Sequence, residues 1–139
     1  MSRRYALDAS AAAAWFLPDE ADAASAALLR ALEDDTAVVP ALWHSEIVNI
    51  LRAAERRRRL TAAEADRSLA RIARLPIETD EADMPTLRPR LLGLARLHEL
   101  TAYDATYLDL AMRRGLPLAT RDRDLRRAAG EVGVALLDA

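Results

Sequence analysis

The chain has 139 residues, a length suited to one domain with one core, and 52% of them are hydrophobic, which excludes a disordered chain. No cysteine is present, so disulfides, thiolate nucleophiles and cysteine-ligated zinc are ruled out. The net charge of −2 includes 20 basic residues, all arginine, and without lysine neither a P-loop nor Schiff-base chemistry is available.

In chain order, Tyr5-Ala6-Leu7 reads as a short strand that runs into Asp8. Arg3 and Arg4 ahead of the apolar stretch Ala11 to Leu17 imitate a secretory leader, but Asp8 interrupts it and no cleavage site precedes Pro18. Nothing downstream resembles a membrane span, so a cytoplasmic protein with no membrane contact is expected. Ala21 to Leu32 has an alanine- and leucine-rich helical face, and Ala37-Val38-Val39 forms a second strand before Pro40. Trp43, Ile47, Ile50, Leu51 and Ala54 recur at helical spacing over Trp43 to Arg57. Thr61 and Glu64 form a capping box that opens a helix to about Arg74.

Leu75 to Thr79 is a weaker strand containing Pro76. Helices follow over Thr86 to His98, with Leu87, Leu91, Leu94 and Leu97 as its stripe, and over Thr101 to Arg113, stopped by Gly115. Leu116 to Thr120 is a fourth strand, Arg123 to Gly130 a last helix, and Val134 to Leu137 a fifth strand. Short, apolar, non-alternating strands separated by helices predict an α/β sandwich around a mostly parallel five-stranded sheet. No repeat or linker divides the chain, so residues 1–139 are expected to be a single domain.

Parallel sheets present functional residues at the carboxyl ends of their strands. Asp8 directly follows the first predicted strand and Asp122 follows the fourth by two residues. Glu46 lies three residues after Trp43 and one turn before Ile50, on or beside the apolar face of its helix. Asp104 sits one turn before Leu108. Acids directed inward are costly unless paired or bound to a cation. With no lysine to neutralise them, a hard divalent cation such as Mg²⁺ or Mn²⁺ is the economical resolution. Each acid also has a plain structural role open to it: Asp8 capping a helix from Ala9, Asp122 capping the last helix, Asp124 favouring that helix's N-terminal end, and Asp104 closing a capping box with Thr101. Glu46 is hardest to explain so, unless its helix turns it to solvent beside Arg30 or Arg52.

The segments Tyr5-Ala-Leu-Asp8-Ala-Ser10, Pro40-Ala-Leu-Trp-His-Ser-Glu46-Ile-Val-Asn49, Leu100-Thr-Ala-Tyr-Asp104-Ala-Thr-Tyr-Leu108 and Leu118-Ala-Thr-Arg-Asp122 together resemble the PIN-domain family. More closely, they are similar to the VapC-like toxin ribonucleases of type II toxin–antitoxin systems. The match holds in order, spacing and total length. It implies a three-layer α/β/α sandwich and hydrolysis of RNA phosphodiesters by metal-activated water, with Mg²⁺ or Mn²⁺ as cofactor. The family's acidic positions fall on Asp8, Glu46, Asp104 and Asp122, with Asp124 an alternative to Asp122 in the same loop. Its supporting polar positions fall on Ser10, Asn49 and Thr120; Asn49, one turn beyond Glu46, would orient that carboxylate or bind substrate. A homodimer and a small cognate antitoxin covering the acidic cleft are implied partners.

His44 and His98 are not needed as general bases and are expected at the surface or an interface. The run Arg56-Arg57-Arg58-Arg59 reads as a solvated helix end or, more sharply, as an RNA phosphate contact. A haloacid-dehalogenase-type phosphatase would want an aspartate where Ser10 stands, and a phosphorylated receiver domain would want a lysine. The readings left in competition are a catalytically silent binding or regulatory module, and a nuclease of the same family outside any toxin pair.

Overall fold

The structure is a computed structural model and describes residues 2–139. Four strands form one parallel sheet in the order β3-β2-β1-β4: β1 (Arg4–Leu7), β2 (Thr36–Pro40), β3 (Ile77–Asp80) and β4 (Leu118–Ala119). Tyr5 pairs with Ala37 and Ala6 with Val38 on one side of β1, while Ala6 pairs with Leu118 and Leu7 with Ala119 on the other. Consecutive strand residues point to opposite faces, yet Tyr5, Ala6, Leu7, Ala37, Val38 and Val39 are all fully buried, so both faces are covered.

The cover is a layer of helices on each side, giving the α/β/α sandwich. Helix α6 (Ala102–Arg114) packs on β1 and β2 and carries α5 (Met84–His98) and α7 (Arg123–Val132) against it. Helix α3 (Ala41–Arg56) packs on β2 and holds α1 (Ala9–Ala13) and α4 (Ala62–Ile72). Helix α2 (Ala23–Ala31) opens with a complete capping box between Asp22 and Ser25.

The five-strand expectation is met by four strands and one bridge. The segment Val134 to Leu137 runs beside β4, but only Leu136 pairs, with Leu118. A neighbour just two residues long offers no longer ladder to pair with. At β3, Pro76 stays outside the strand, which begins at Ile77; Pro76 still contributes its carbonyl to the Ala37 N–H. In α5, Pro89 cannot donate to the Pro85 carbonyl one turn back, and Arg88 Nε takes that acceptor at 3.3 Å. No helix among the described residues is long and apolar enough to cross a membrane.

Candidate functional site

The parallel register brings the ends of β1 and β4 side by side. Asp8 leaves β1 with its backbone N–H donating to the Ala119 carbonyl at 2.9 Å, which sets it beside Thr120. It is 4% exposed and stands at the N-cap position of α1, but its side chain makes no capping bond. Instead Oδ2 accepts from Ser10 Oγ at 2.7 Å and from Thr120 Oγ1 at 2.6 Å. Those hydroxyls are themselves held by backbone donors: the Arg121 N–H reaches Ser10 Oγ at 2.9 Å and the Asp122 N–H reaches Thr120 Oγ1 at 3.0 Å. The loop after β4 thus fixes one oxygen of Asp8 through two neutral relays.

Glu46 is half-buried on α3. Its Oε1 accepts from the Tyr107 hydroxyl of α6 at 2.7 Å. Asn49 is exposed and makes no hydrogen bond to Glu46; the side chain that does is Tyr107, which the sequence did not single out. Arg52, considered as a cation for Glu46, pairs with Glu55 instead. Asp104 lies in the first turn of α6, and its backbone N–H donates to Thr101 Oγ1 at 3.1 Å. The reciprocal bond of a capping box, from the Asp104 carboxylate to the Thr101 N–H, is not formed. Asp122 does cap a helix: its Oδ1 accepts from the Leu125 N–H at 2.9 Å. Asp124 is 66% exposed and lies 3.8 Å from Arg127.

Charge repulsion ties these acids together. Burial pushes the Asp104 carboxyl up to about 6, reinforced by the charges of Asp122, Asp8, Glu46 and, last, Asp124. Burial also raises Asp8 and Glu46; the hydroxyl donors Thr120 and Ser10 offset it at Asp8, and Tyr107 offsets it at Glu46. Among the described residues, no arginine forms an ion pair with Asp8, Glu46, Asp104 or Asp122. Elsewhere the chain neutralises its buried acids carefully. Asp35 meets Arg3, Asp80 meets Arg113 and Arg114, and Asp109, 1% exposed, is gripped by Arg90 and Arg113.

Hard oxygen donors in mutual repulsion, with Asp8 and Glu46 oriented by neutral hydroxyls and none of the four paired with arginine, fit Mg²⁺ or Mn²⁺ in charge and donor type. They do not form a closed cage, since among the described residues no three His, Asp or Glu side chains converge to ligating distance. Side-chain rotation toward an ion would have to accompany its binding. A cavity of about 520 Å³ lies at the other end of the sheet, lined by Met112, Leu116, Pro117 and Val134 among others, and includes none of the acids.

Within the arginine run, Arg56, Arg57 and Arg58 are exposed and, among the described residues, unpaired. Arg59 is not available in the same way, because it binds Asp19 and Glu20, each at 2.8 Å. His44 is exposed, with Nε2 2.8 Å from Thr79 Oγ1, whereas His98 is buried against Glu131 rather than lying at the surface.

A family model described as PIN domain matches residues 5–131. Among solved structures, PAE2754 from Pyrobaculum aerophilum superposes with a TM-score of 0.67 at 27% identity, covering 92% of this chain and 87% of that one. FitAcB from Neisseria gonorrhoeae superposes with a TM-score of 0.65 at 19% identity, covering 99% and 96%, a likeness of fold alone. No curated protein matches the sequence significantly.

Proposed function

The chain belongs to the PIN-domain family, and on that premise we propose that it is a Mg²⁺- or Mn²⁺-dependent ribonuclease, the toxin of a small toxin–antitoxin pair, working as one domain through Asp8, Glu46, Asp104 and Asp122. PIN domains are generally nucleases and typically use divalent metals. The observation that carries the proposal is the contrast in charge compensation: Asp35, Asp80 and Asp109 are paired with arginine, and these four are not.

Each acid has an oxygen to offer. Asp8 keeps Oδ1 while Ser10 and Thr120 hold Oδ2, Glu46 keeps Oε2, Asp122 keeps Oδ2, and no hydrogen bond occupies either carboxylate oxygen of Asp104. When bound there, the cation would neutralise the phosphate and lower the pKa of a water for attack on it. Asp122 is favoured over Asp124 as the fourth acid, because its charge acts more strongly on Asp104 and its side chain is held by the Leu125 N–H while its backbone N–H bonds Thr120.

The substrate side is argued from charge. Residues 52–74 hold eight arginines and three acids, a net +5 in a chain of −2, leaving −7 for the remainder. Arg56, Arg57 and Arg58 continue into exposed Arg67, Arg71 and Arg74 at helical spacing on and just beyond α4. Arg71 lies 6.0 Å over the Phe16 ring, and Phe16 is eight residues along the chain from Asp8, beyond the far end of α1. An RNA strand that runs from the acids along α1 would approach these guanidinium groups.

The test is cleavage of a defined single-stranded RNA by purified protein with Mn²⁺ or with chelator. Cleavage that requires the ion and vanishes in Asp8→Asn is expected. A protein that binds RNA but cleaves none under any metal would instead be a silent binding module. For the toxin reading, co-expression of a small protein encoded beside the gene should suppress cleavage; the absence of any such suppressor would leave a nuclease outside a toxin pair.

A further inference from the structure

Resting on Glu46 as a cation ligand, we infer that Tyr107 is its positioning residue, a hydroxyl pin from α6 that holds one oxygen of the α3 carboxylate and leaves the other for the cation. The Tyr107 side chain comes from the middle of α6, is fully buried, and donates its one hydroxyl proton to Glu46 Oε1 at 2.7 Å. A buried hydroxyl is costly unless bonded, so a phenylalanine would fill the same space at less expense if packing were the only need. Satisfaction is not automatic for tyrosine in this chain: the Tyr5 hydroxyl is buried with no partner among the described residues.

The Tyr107 hydroxyl thus joins α6 to α3. Glu46 is left with Oε2 free, matching Asp8, whose Oδ2 is held by Ser10 and Thr120. All three tethers are neutral, so they orient the carboxylates without reducing the negative charge that a cation requires.

The test compares the wild type, Tyr107→Phe and Asp8→Asn for Mn²⁺ binding by calorimetry, and follows the Glu46 side-chain carboxyl ¹³C resonance in metal-free protein. Tyr107→Phe is expected to keep the fold, to move the Glu46 resonance while leaving that of Asp109 in place, and to weaken Mn²⁺ binding about tenfold. An unmoved Glu46 resonance, or Mn²⁺ affinity equal to wild type, would overturn the assignment. Should the wild type bind no Mn²⁺, the cation reading itself falls, and the Glu46 resonance alone judges whether Tyr107 holds that side chain. If Tyr107→Phe melts too low for either measurement, Glu46→Gln with and without Tyr107→Phe replaces it. Additive losses in metal-free melting temperature would then overturn the pin, and non-additive losses would support it.

Discussion

Asp104 is the acid on which the others act most visibly. Its carboxyl is raised to about 6 in the folded protein, from an ordinary value near 3.8, by burial and by Asp122, Asp8 and Glu46. A raised carboxyl binds protons more tightly in the folded state than in the unfolded one. Its contribution to stability is therefore present at acid pH and is lost as pH rises through roughly 4 to 6. Because Asp104 is only partly buried, solvent screening reduces the effect to about 1 kcal/mol. Metal-free Asp104→Asn should accordingly melt higher than wild type at pH 7.5 and show a flatter pH dependence below it; equal melting curves would mean that the repulsion is not felt. The hydroxyl relay at Asp8 makes an opposite prediction. Thr120→Val keeps the shape but removes a buried donor from Asp8 and an acceptor from the Asp122 N–H, so it should cost about 1–3 kcal/mol in a denaturant melt.

At the scale of elements, two helix ends are made under backbone strain, Glu99 after α5 at φ +54° and the junction between α3 and α4. Arg58 has φ of +58°, a left-handed conformation that favours glycine, while the Arg59 N–H closes onto the Ala54 carbonyl at 2.8 Å. Arg58→Gly should stabilise the fold by roughly 0.5–1 kcal/mol in thermal unfolding. If Arg58 touches phosphate, the same change should weaken RNA binding, so stability and binding would move in opposite directions. Arg59, bonded to Asp19 and Glu20 across the turn after α1, serves to tie that junction down. Helix α6 carries both kinds of buried acid, Asp109 held by arginines and Asp104 left free, less than two turns apart. Capping alone does not distinguish them, since Thr101 caps α6 with its hydroxyl and leaves the Asp104 carboxylate uncommitted.

Across the whole molecule, the basic α3–α4 region and the acidic strand ends set up a charge asymmetry that net charge conceals. Replacing Arg56, Arg57 and Arg58 by glutamine should lower the salt dependence of RNA binding, by about 0.7 in slope for each phosphate that the protein no longer neutralises; an unchanged slope would remove them from the interface. The strand-end acids were legible from sequence because a parallel sheet must deliver Asp8 and Asp122 to the same edge. Glu46 was legible because its helix is apolar on that side. Tyr107 was not, since a tyrosine on a core stripe reads as packing until the partner helix is in place. Nor was Arg59, whose acids lie some forty residues away, or Asp109, whose partner Arg90 sits on a different helix. The fifth strand was overstated because an apolar run carries no signal of how short its neighbour is.

The central claim is that four uncompensated carboxylates constitute one cation site. It is tested most directly by the melting temperature of metal-free protein titrated with Mn²⁺ at pH 7.5, alongside Asp8→Asn. A rise that continues with the logarithm of Mn²⁺ concentration in the wild type, and is absent or displaced to far higher concentration in the variant, is the result expected from mass action. Equal shifts in both proteins, or no shift in the wild type at millimolar Mn²⁺, would contradict it.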